Sequence, residues 1–372
     1  VTVDEISGEI TSLYDKVNGR EVVDNTGGMG FNRLVRADQD AAVVWGTWED
    51  APAGPLQITS ESGPVLSRLI ITRAESPLSQ TIITLPAGLP RVEIQNTLDH
   101  DRTQYADHLV HTYWYYVTMP FALGATGFSG RFQGPNGWLI PQQDWLPGAA
   151  HNARVSQQGV GVRDAAGFGV TLANRESYLS SFGSTGFWDA TEPERPVLFL
   201  NLFARSDEAL TADQGWLAFD TWEPGAPRQY TFNFALTSTD SGFDPVAAGT
   251  FSAGYNRPLL VAGIARRADG PLPGPTGSLL TVSHDNVAVV TLKRADFENP
   301  DGGDLILRLQ EIDGQAAEGV TITLPFALDW AEVNGLGEQR ADGVPLPVEP
   351  LTVSLAPYQT LTVRLRPIWS GD

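Results

Sequence analysis

The feature that most constrains this chain is a hydrophobic pattern of period two, repeated in short runs and cut each time by Gly, Pro, Asn or Asp. It shows in Arg68–Ala74 (RLIITRA), Gln80–Leu85 (QTIITL), Arg91–Leu98 (RVEIQNTL), Val197–Ala204 (VLFLNLFA), Gln229–Leu236, Asp304–Ile312, Val320–Leu324 and Leu351–Arg366. Successive side chains of a strand point to opposite faces, so each run predicts a strand with one face buried. Alternation with polar residues points to antiparallel sheets, and the Thr, Ile, Val and aromatic content suits a half-buried pleat. No segment offers 12 residues of clean 3.6 periodicity between a cap and a terminal Gly, so at most a few short helices are expected. The 38 Gly and 26 Pro lie along the whole chain and exclude a coiled coil or long-helix bundle. With 16 Phe, 10 Trp and 9 Tyr there is ample material for a packed interior, which argues against disorder. The expected class is all-β.

At 372 residues the chain exceeds one ordinary domain. The segment Ala265–Ser278 (ARRADGPLPGPTGS) sets three Pro and three Gly between two strand-rich blocks. It predicts a large antiparallel β-sandwich over 1–265, a linker over 266–278 and a smaller β-sandwich over 279–372, the last close to the size of a minimal two-sheet domain. Within the first block, Gly124–Ala153 is poor in strand signal and reads as a long loop, a class more often functional than idle.

The formal charge of −20 repels a phosphate backbone, so nucleic acid is excluded as a partner, and polyanionic substrates are disfavoured, whereas neutral sugars are unaffected. No Cys is present, so there is no disulfide, thiol catalyst or Cys-bound metal, and compartment cannot be read from redox chemistry. No apolar run approaches the roughly 18 residues a membrane span needs, so no membrane partner is expected. The first residue is Val1 and not Met, so the chain is expected to be a processed or truncated piece of a longer polypeptide.

Four groups of residues carry candidate chemistry. Asp99, His100, Asp101, Asp107, His108 and His111 are the densest polar cluster and could in principle hold a divalent metal. On one strand, however, the offset of three sends His108 and His111 to opposite faces, so a solvated turn with satisfied histidines is the expectation. No G-x-S-x-G elbow and no phosphate loop is present; Gly27, Gly28 and Gly30 read as a turn. In the loop Phe132–Asn152, Trp138 and Trp145 flank Gln142, Gln143 and Asp144, and aromatic faces beside planar amides and a carboxylate suit a sugar. Core packing of the two Trp is the plain alternative. Finally, His111, Tyr113, Tyr115 and Arg131 could supply the base and the cation of a polysaccharide lyase or epimerase, a reading that the net negative charge disfavours.

Several stretches, taken in order, resemble a known family. They are Ser7–Asp24 (SGEITSLYDKVNGREVVD) followed by Phe31, Asn32, Arg33 and Leu34; Ser62–Thr72; Leu89–His100; Gly167–Ser177; the LFLNLFARS run with Asp213, Gln214 and Gly215; Val289–Gly314; and Ser354–Pro367. Their colinear order resembles the β-rich C-terminal half of family-38 glycoside hydrolases, the retaining α-mannosidases. The resemblance implies a supersandwich similar to that of galactose mutarotase, then a smaller β-sandwich. It implies a non-catalytic region that supports a catalytic barrel missing from this chain, with zinc expected in that barrel and no cofactor in this chain. The implied partners are a carbohydrate, specifically a mannoside, and an N-terminal catalytic domain of the same polypeptide.

The family also lends the rim of its sugar site an aromatic from an Asn-Gly-aromatic loop and an arginine from a following strand. The matching positions are Asn136, Gly137 and Trp138, where Trp replaces the usual Tyr and removes a hydroxyl donor, and Arg175. The expected substrate contacts are therefore Trp138, Asp144, Trp145 and Arg175, with no catalytic residue. An independent carbohydrate-binding module using the same loop is the alternative from a different class.

Overall fold

The structure, a computed structural model, describes residues 1–38, 49–51, 54–103, 113–123, 127–135, 137–144, 153–183, 195–205, 228–260, 277–295, 303–338 and 343–368. The chain divides into two compact units, Val1–Gly134 with Leu139–Pro258, and Pro135–Trp138 with Leu259–Asp372. Apart from 277 and 278, the linker expected over 266–278 lies outside the described residues.

The first unit is built on two antiparallel sheets. Eight consecutive strands of the larger, nine-stranded sheet are, in spatial order, Ser129–Gly134, Gly159–Arg163, Gly169–Asn174, Gln229–Thr239, Val92–Asp99, Leu78–Pro86, Leu66–Arg73 and Leu56–Ser62. The smaller runs Ala153–Val155, Leu179–Phe182, Val197–Arg205, Tyr113–Pro120, Arg33–Asp38, Glu49–Asp50. Register explains the core. Ile94 stands opposite both Ile83 and Phe234, and all three are buried. Each such side chain contributes about 1.5–3 kcal/mol on leaving water. Phe31 meets Phe121 edge-on at 5.8 Å, and Phe132 meets Phe182 at 5.5 Å, the quadrupole-favoured arrangement for packed rings.

The run Tyr113–Val117 lacks polar alternation because its sheet is buried on both faces. Tyr115 and Val117 enter the main core, while Trp114 and Tyr116 pack with Val35, Ala37 and Phe199 in a second cluster.

A 12-residue helix, Pro245–Asn256, is one of the few short helices expected. Its sequence, PVAAGTFSAGYN, lacks an apolar stripe because Ala248, Gly249 and Ser252 are buried alongside Tyr255, which with Phe251 packs on Ala173 and Ala235 of the large sheet. Its start was written locally all the same. Asp244 accepts from the N–H groups of Val246 and Ala247, and Pro245 occupies the first turn, where no N–H is needed.

The second unit packs a three-stranded sheet (Thr281–Val282, Ala317–Thr323, Leu351–Leu355) and a five-stranded one (Val287–Arg294, Leu305–Glu311, Thr360–Pro367, Leu328–Asn334, Val344–Leu346) around a single core. Leu307, Leu309, Val320, Val363 and Leu365 fill it. The all-β architecture, a large antiparallel sandwich followed by a smaller one, is the one the alternation predicts.

Candidate functional site

The four expected sugar contacts do not form one cluster among the described residues. Trp145 lies outside them, as do His108, His111 and Asp107. Trp138 belongs to the second unit, within the segment Pro135–Trp138. It is only 7% exposed, so its ring is packed and not presented as a platform. The segment is clasped within that unit: Gln310 Nε2 donates to Pro135 O at 2.7 Å, and a Cβ on Gly137 would stand 2.7 Å from Tyr358 Cε1.

Asp144 and Arg175 lie in the first unit, and no contact joins them. Asp144 closes its own short helix, Pro141–Asp144, by accepting the Ile140 N–H at 2.6 Å; its side chain is otherwise exposed. Arg175 is exposed but anchored. Its Nη2 donates to Tyr255 O at 2.6 Å and its guanidinium stacks on the Tyr255 ring at 4.9 Å. Burial, with the Glu93 charge adding to it, pushes the Tyr255 hydroxyl up to about 12, so it remains a neutral donor at physiological pH. Beside Arg175, the buried Asn174 donates to Ser156 Oγ at 3.1 Å and to Ser177 O, leaving its own Oδ1 without a partner.

The described part of the Asp99 cluster is structural. Asp99 accepts from Asp101 N at 3.1 Å and pairs with Arg102 at 3.1 Å; Asp101 pairs with Arg228 at 2.6 Å. His100 is buried, edge-on to Phe203 at 5.3 Å. Among the described residues no three His, Asp or Glu side chains converge as metal ligands would. For the lyase or epimerase reading, Tyr115 is fully buried in the main core and Arg131 stacks on Phe243 at 4.7 Å. A base has to reach its proton within hydrogen-bond distance of a bound substrate, and Tyr115 is 0% exposed within that core.

One polar constellation escaped the sequence reading. Arg73, on the same strand face as Ile71, donates to Thr81 Oγ1 at 3.2 Å; Thr81 donates to Asn96 Oδ1 at 2.9 Å. Asn96 and Asn32 then exchange amide hydrogen bonds at 2.7 and 3.1 Å, with Asn32 in the left-handed region at φ 62°. The signal was present in RLIITRA. An Arg two residues beyond Ile71 falls on the inward face, where an ionised side chain has to be satisfied or functional.

Comparison with known proteins bears on the fold. The family model described as "Glycosyl hydrolases family 38 C-terminal beta sandwich domain" matches residues 286–363. An α-mannosidase from Enterococcus faecalis V583 aligns at TM-score 0.65 and 15% identity, over 97% of this chain and 40% of that one. A protein in the Glycosyl Hydrolase Family 38 from Enterococcus faecalis aligns at TM-score 0.60 and 16% identity, over 93% of this chain and 42% of that one. This chain thus spans about two fifths of the length of these solved structures. No curated protein matches it in sequence. Residues 286–363 of the second unit are thus similar to the family-38 C-terminal β-sandwich domain, in line with the resemblance seen in the sequence, and at these identities the structural likeness speaks to fold.

Proposed function

We propose that this chain is the non-catalytic β-sandwich region of an α-mannosidase-like glycoside hydrolase, supporting a catalytic barrel that belongs to the same polypeptide. One observation carries the reading: likeness to an α-mannosidase spans 97% of this chain but only 40% of that enzyme, so the shared part is the β-rich part. The buried carboxylates of the second unit support it, since each is already engaged. Asp304 binds Arg364 and Arg366, and Glu338 pairs with Arg308 and Lys293. Retaining hydrolysis requires two carboxyl groups about 5 Å apart and free to act on the sugar. Zinc is assigned in this reading to the barrel and its ligands, with no cofactor in this chain.

A contact of the first unit with a mannoside at the rim of that site is part of the same proposal. Asp144, Arg175 and Trp145 are its residues, with the buried Trp138 shaping the loop and not stacking on the sugar. The test is an assay of the purified chain with a chromogenic α-mannoside and added zinc, expected to give no rate above the blank; zinc-dependent turnover by the chain alone overturns the reading. Adding the separately produced barrel is expected to restore turnover. The rim contact is checked by the Trp145→Ala variant of the reassembled enzyme, expected to raise KM with little change in kcat.

A further inference from the structure

We infer that a cavity of the first unit beside Arg73 binds a small neutral polyhydroxyl ligand of about the size of one pyranose ring. The cavity measures about 260 Å³, and its wall includes Ser7, Glu9, Arg33, Asp50, Arg73 and Ser76. That volume falls just below the roughly 300–1,000 Å³ of pockets for drug-sized ligands, so it admits one ring and not an oligosaccharide.

Arg73 is what makes this a built site. It is 4% exposed, yet among the described residues no carboxylate touches it. Its hydrogen-bond partners there are all neutral: Thr81 Oγ1 at 3.2 Å, Ser7 O at 3.3 Å and Gly8 O at 3.2 Å. A guanidinium carries five N–H donors, so the Nε–H and one Nη1–H take no acceptor among the described residues. Burial drives the group down to about 10, with the Glu9 charge opposing, which is the signature of a cation short of polar contacts. The backbone is shaped around it. Gly8 sits at φ 70°, and a Cβ there would stand 2.5 Å from Arg73 Nη2.

The rest of the wall decides the ligand class. Glu9 grips Arg33 with both oxygens at 2.6 and 3.0 Å, and Asp50 lies 3.4 Å from Arg33. Two cations and two carboxylates therefore cancel within the cavity, in a chain of net charge −20. An anion would meet Glu9, Asp50 and the long-range field; a cation would meet two guanidinium groups. Hydroxyl groups can use both kinds of partner, accepting from Arg73 and donating to carboxylate lone pairs. Ser76 Oγ accepts the Leu78 N–H at 3.2 Å and retains its own proton to donate. Leu34 and Leu78 supply apolar wall for ring C–H groups.

Saturation-transfer NMR and calorimetry on the full chain, with methyl α-mannoside and myo-inositol as neutral probes and acetate and sulfate as anionic ones, test this. Saturable binding of a neutral probe is expected, weakened about tenfold in Arg73→Lys, which keeps the charge but loses the planar fork. If Arg73→Lys does not fold, Ser76→Ala decides, with about threefold weakening expected from one lost hydrogen bond. Trp145→Ala is expected to leave this binding unchanged, which separates the site from the rim contact proposed above. Saturable binding of acetate or sulfate instead, absence of binding by either neutral probe, or full affinity in folded Arg73→Lys or in Ser76→Ala overturns the inference.

Discussion

The carboxylate of Glu311 accepts the backbone N–H of Tyr358 at 2.8 Å, tying the end of one strand of the second unit to a turn 47 residues further along the chain. The same carboxylate accepts from Asp313 N at 2.7 Å, Gly314 N at 2.8 Å and Asn286 Nδ2 at 3.0 Å, and Glu311 is 0% exposed. One side chain thus satisfies four donors from three loops. Glu311→Gln keeps the shape but turns an N–H₂ toward donors. A loss of about 2–4 kcal/mol is expected from charged hydrogen bonds replaced by opposed donors. Urea unfolding checks it, together with faster hydrogen exchange at the amides of Gly314 and Tyr358.

The same contact sets a pH dependence. Burial alone would raise the Glu311 carboxyl, but the N–H groups of Tyr358, Asp313 and Gly314 and the Asn286 amide outweigh it and hold the group below its ordinary value. For Asp304, burial is likewise outweighed, here by Arg366 and Arg364. A depressed carboxyl stabilises the fold fully above its unfolded value, about 3.9–4.3, and loses that contribution as pH falls through the folded value. Stability is therefore expected to be flat near neutrality and to fall below about pH 4.5. Acid titration of the unfolding midpoint should show a shallower fall in Glu311→Gln than in the wild type.

Tyr358 itself lies in the left-handed region at φ 58°, with its ring between two glycines of its own unit. A Cβ on Gly314, at φ 75°, would come 2.5 Å from the Tyr358 hydroxyl oxygen. Gly314→Ala is expected to cost about 1–3 kcal/mol, part from the backbone and part from the ring. Only the ring part disappears in a Tyr358→Ser background. A double-mutant cycle in thermal unfolding should therefore give a coupling of about 1 kcal/mol or more, and strict additivity would contradict the packing described.

Legibility in the sequence divides along the same physical lines. Strands such as Val92–Asp99 were readable because one face is wet and the other dry, so Ile94, Asn96 and Leu98 alternate with outward neighbours. The helix Pro245–Asn256 is hard to read because its buried face combines Ala248, Gly249 and Ser252 with Tyr255 and carries no apolar stripe, although Asp244-Pro245 announces its start. Trp138 was read as a sugar platform from its amide-rich neighbourhood. Only the fold shows that its side chain is buried, a non-local fact that no local pattern encodes. Arg73 lies in a strand the alternation predicts, but its partner Thr81 and the Asn96 and Asn32 linked through it come from three other segments, so its role needs their register.

The pair Asp304–Arg364 is buried on both sides, 4% and 3% exposed, with the guanidinium 2.7 Å from the carboxylate. Removing one partner strands the other. Asp304→Asn is expected to cost about 3–5 kcal/mol because Arg364 keeps its charge in a dry site. Replacing the pair together, Asp304→Leu with Arg364→Met, is expected to cost less than Asp304→Asn alone, since the fully buried charge is removed and Arg366, the other partner of the carboxylate, is partly exposed to water. Chemical denaturation of the three proteins ranks them, and a double variant less stable than Asp304→Asn would show that the pair contributes net stability.

Trp138 and Trp145 should separate when each is cut to Ala. Trp138 is 93% removed from solvent by its 7% exposure and sits one residue beyond Gly137, which packs on Tyr358, so truncation opens a cavity. A loss of about 3–5 kcal/mol is expected, with a lower Tm and, in the reassembled enzyme, a mannoside KM unchanged below that Tm. Trp145→Ala is expected to do the reverse, raising KM while leaving the Tm within about 2 °C of wild type, as the sugar-contacting role proposed for it requires. Measuring Tm and KM on both variants resolves the two roles. A Trp138→Ala protein that keeps its Tm but loses mannoside affinity would return Trp138 to the sugar and remove it from the core.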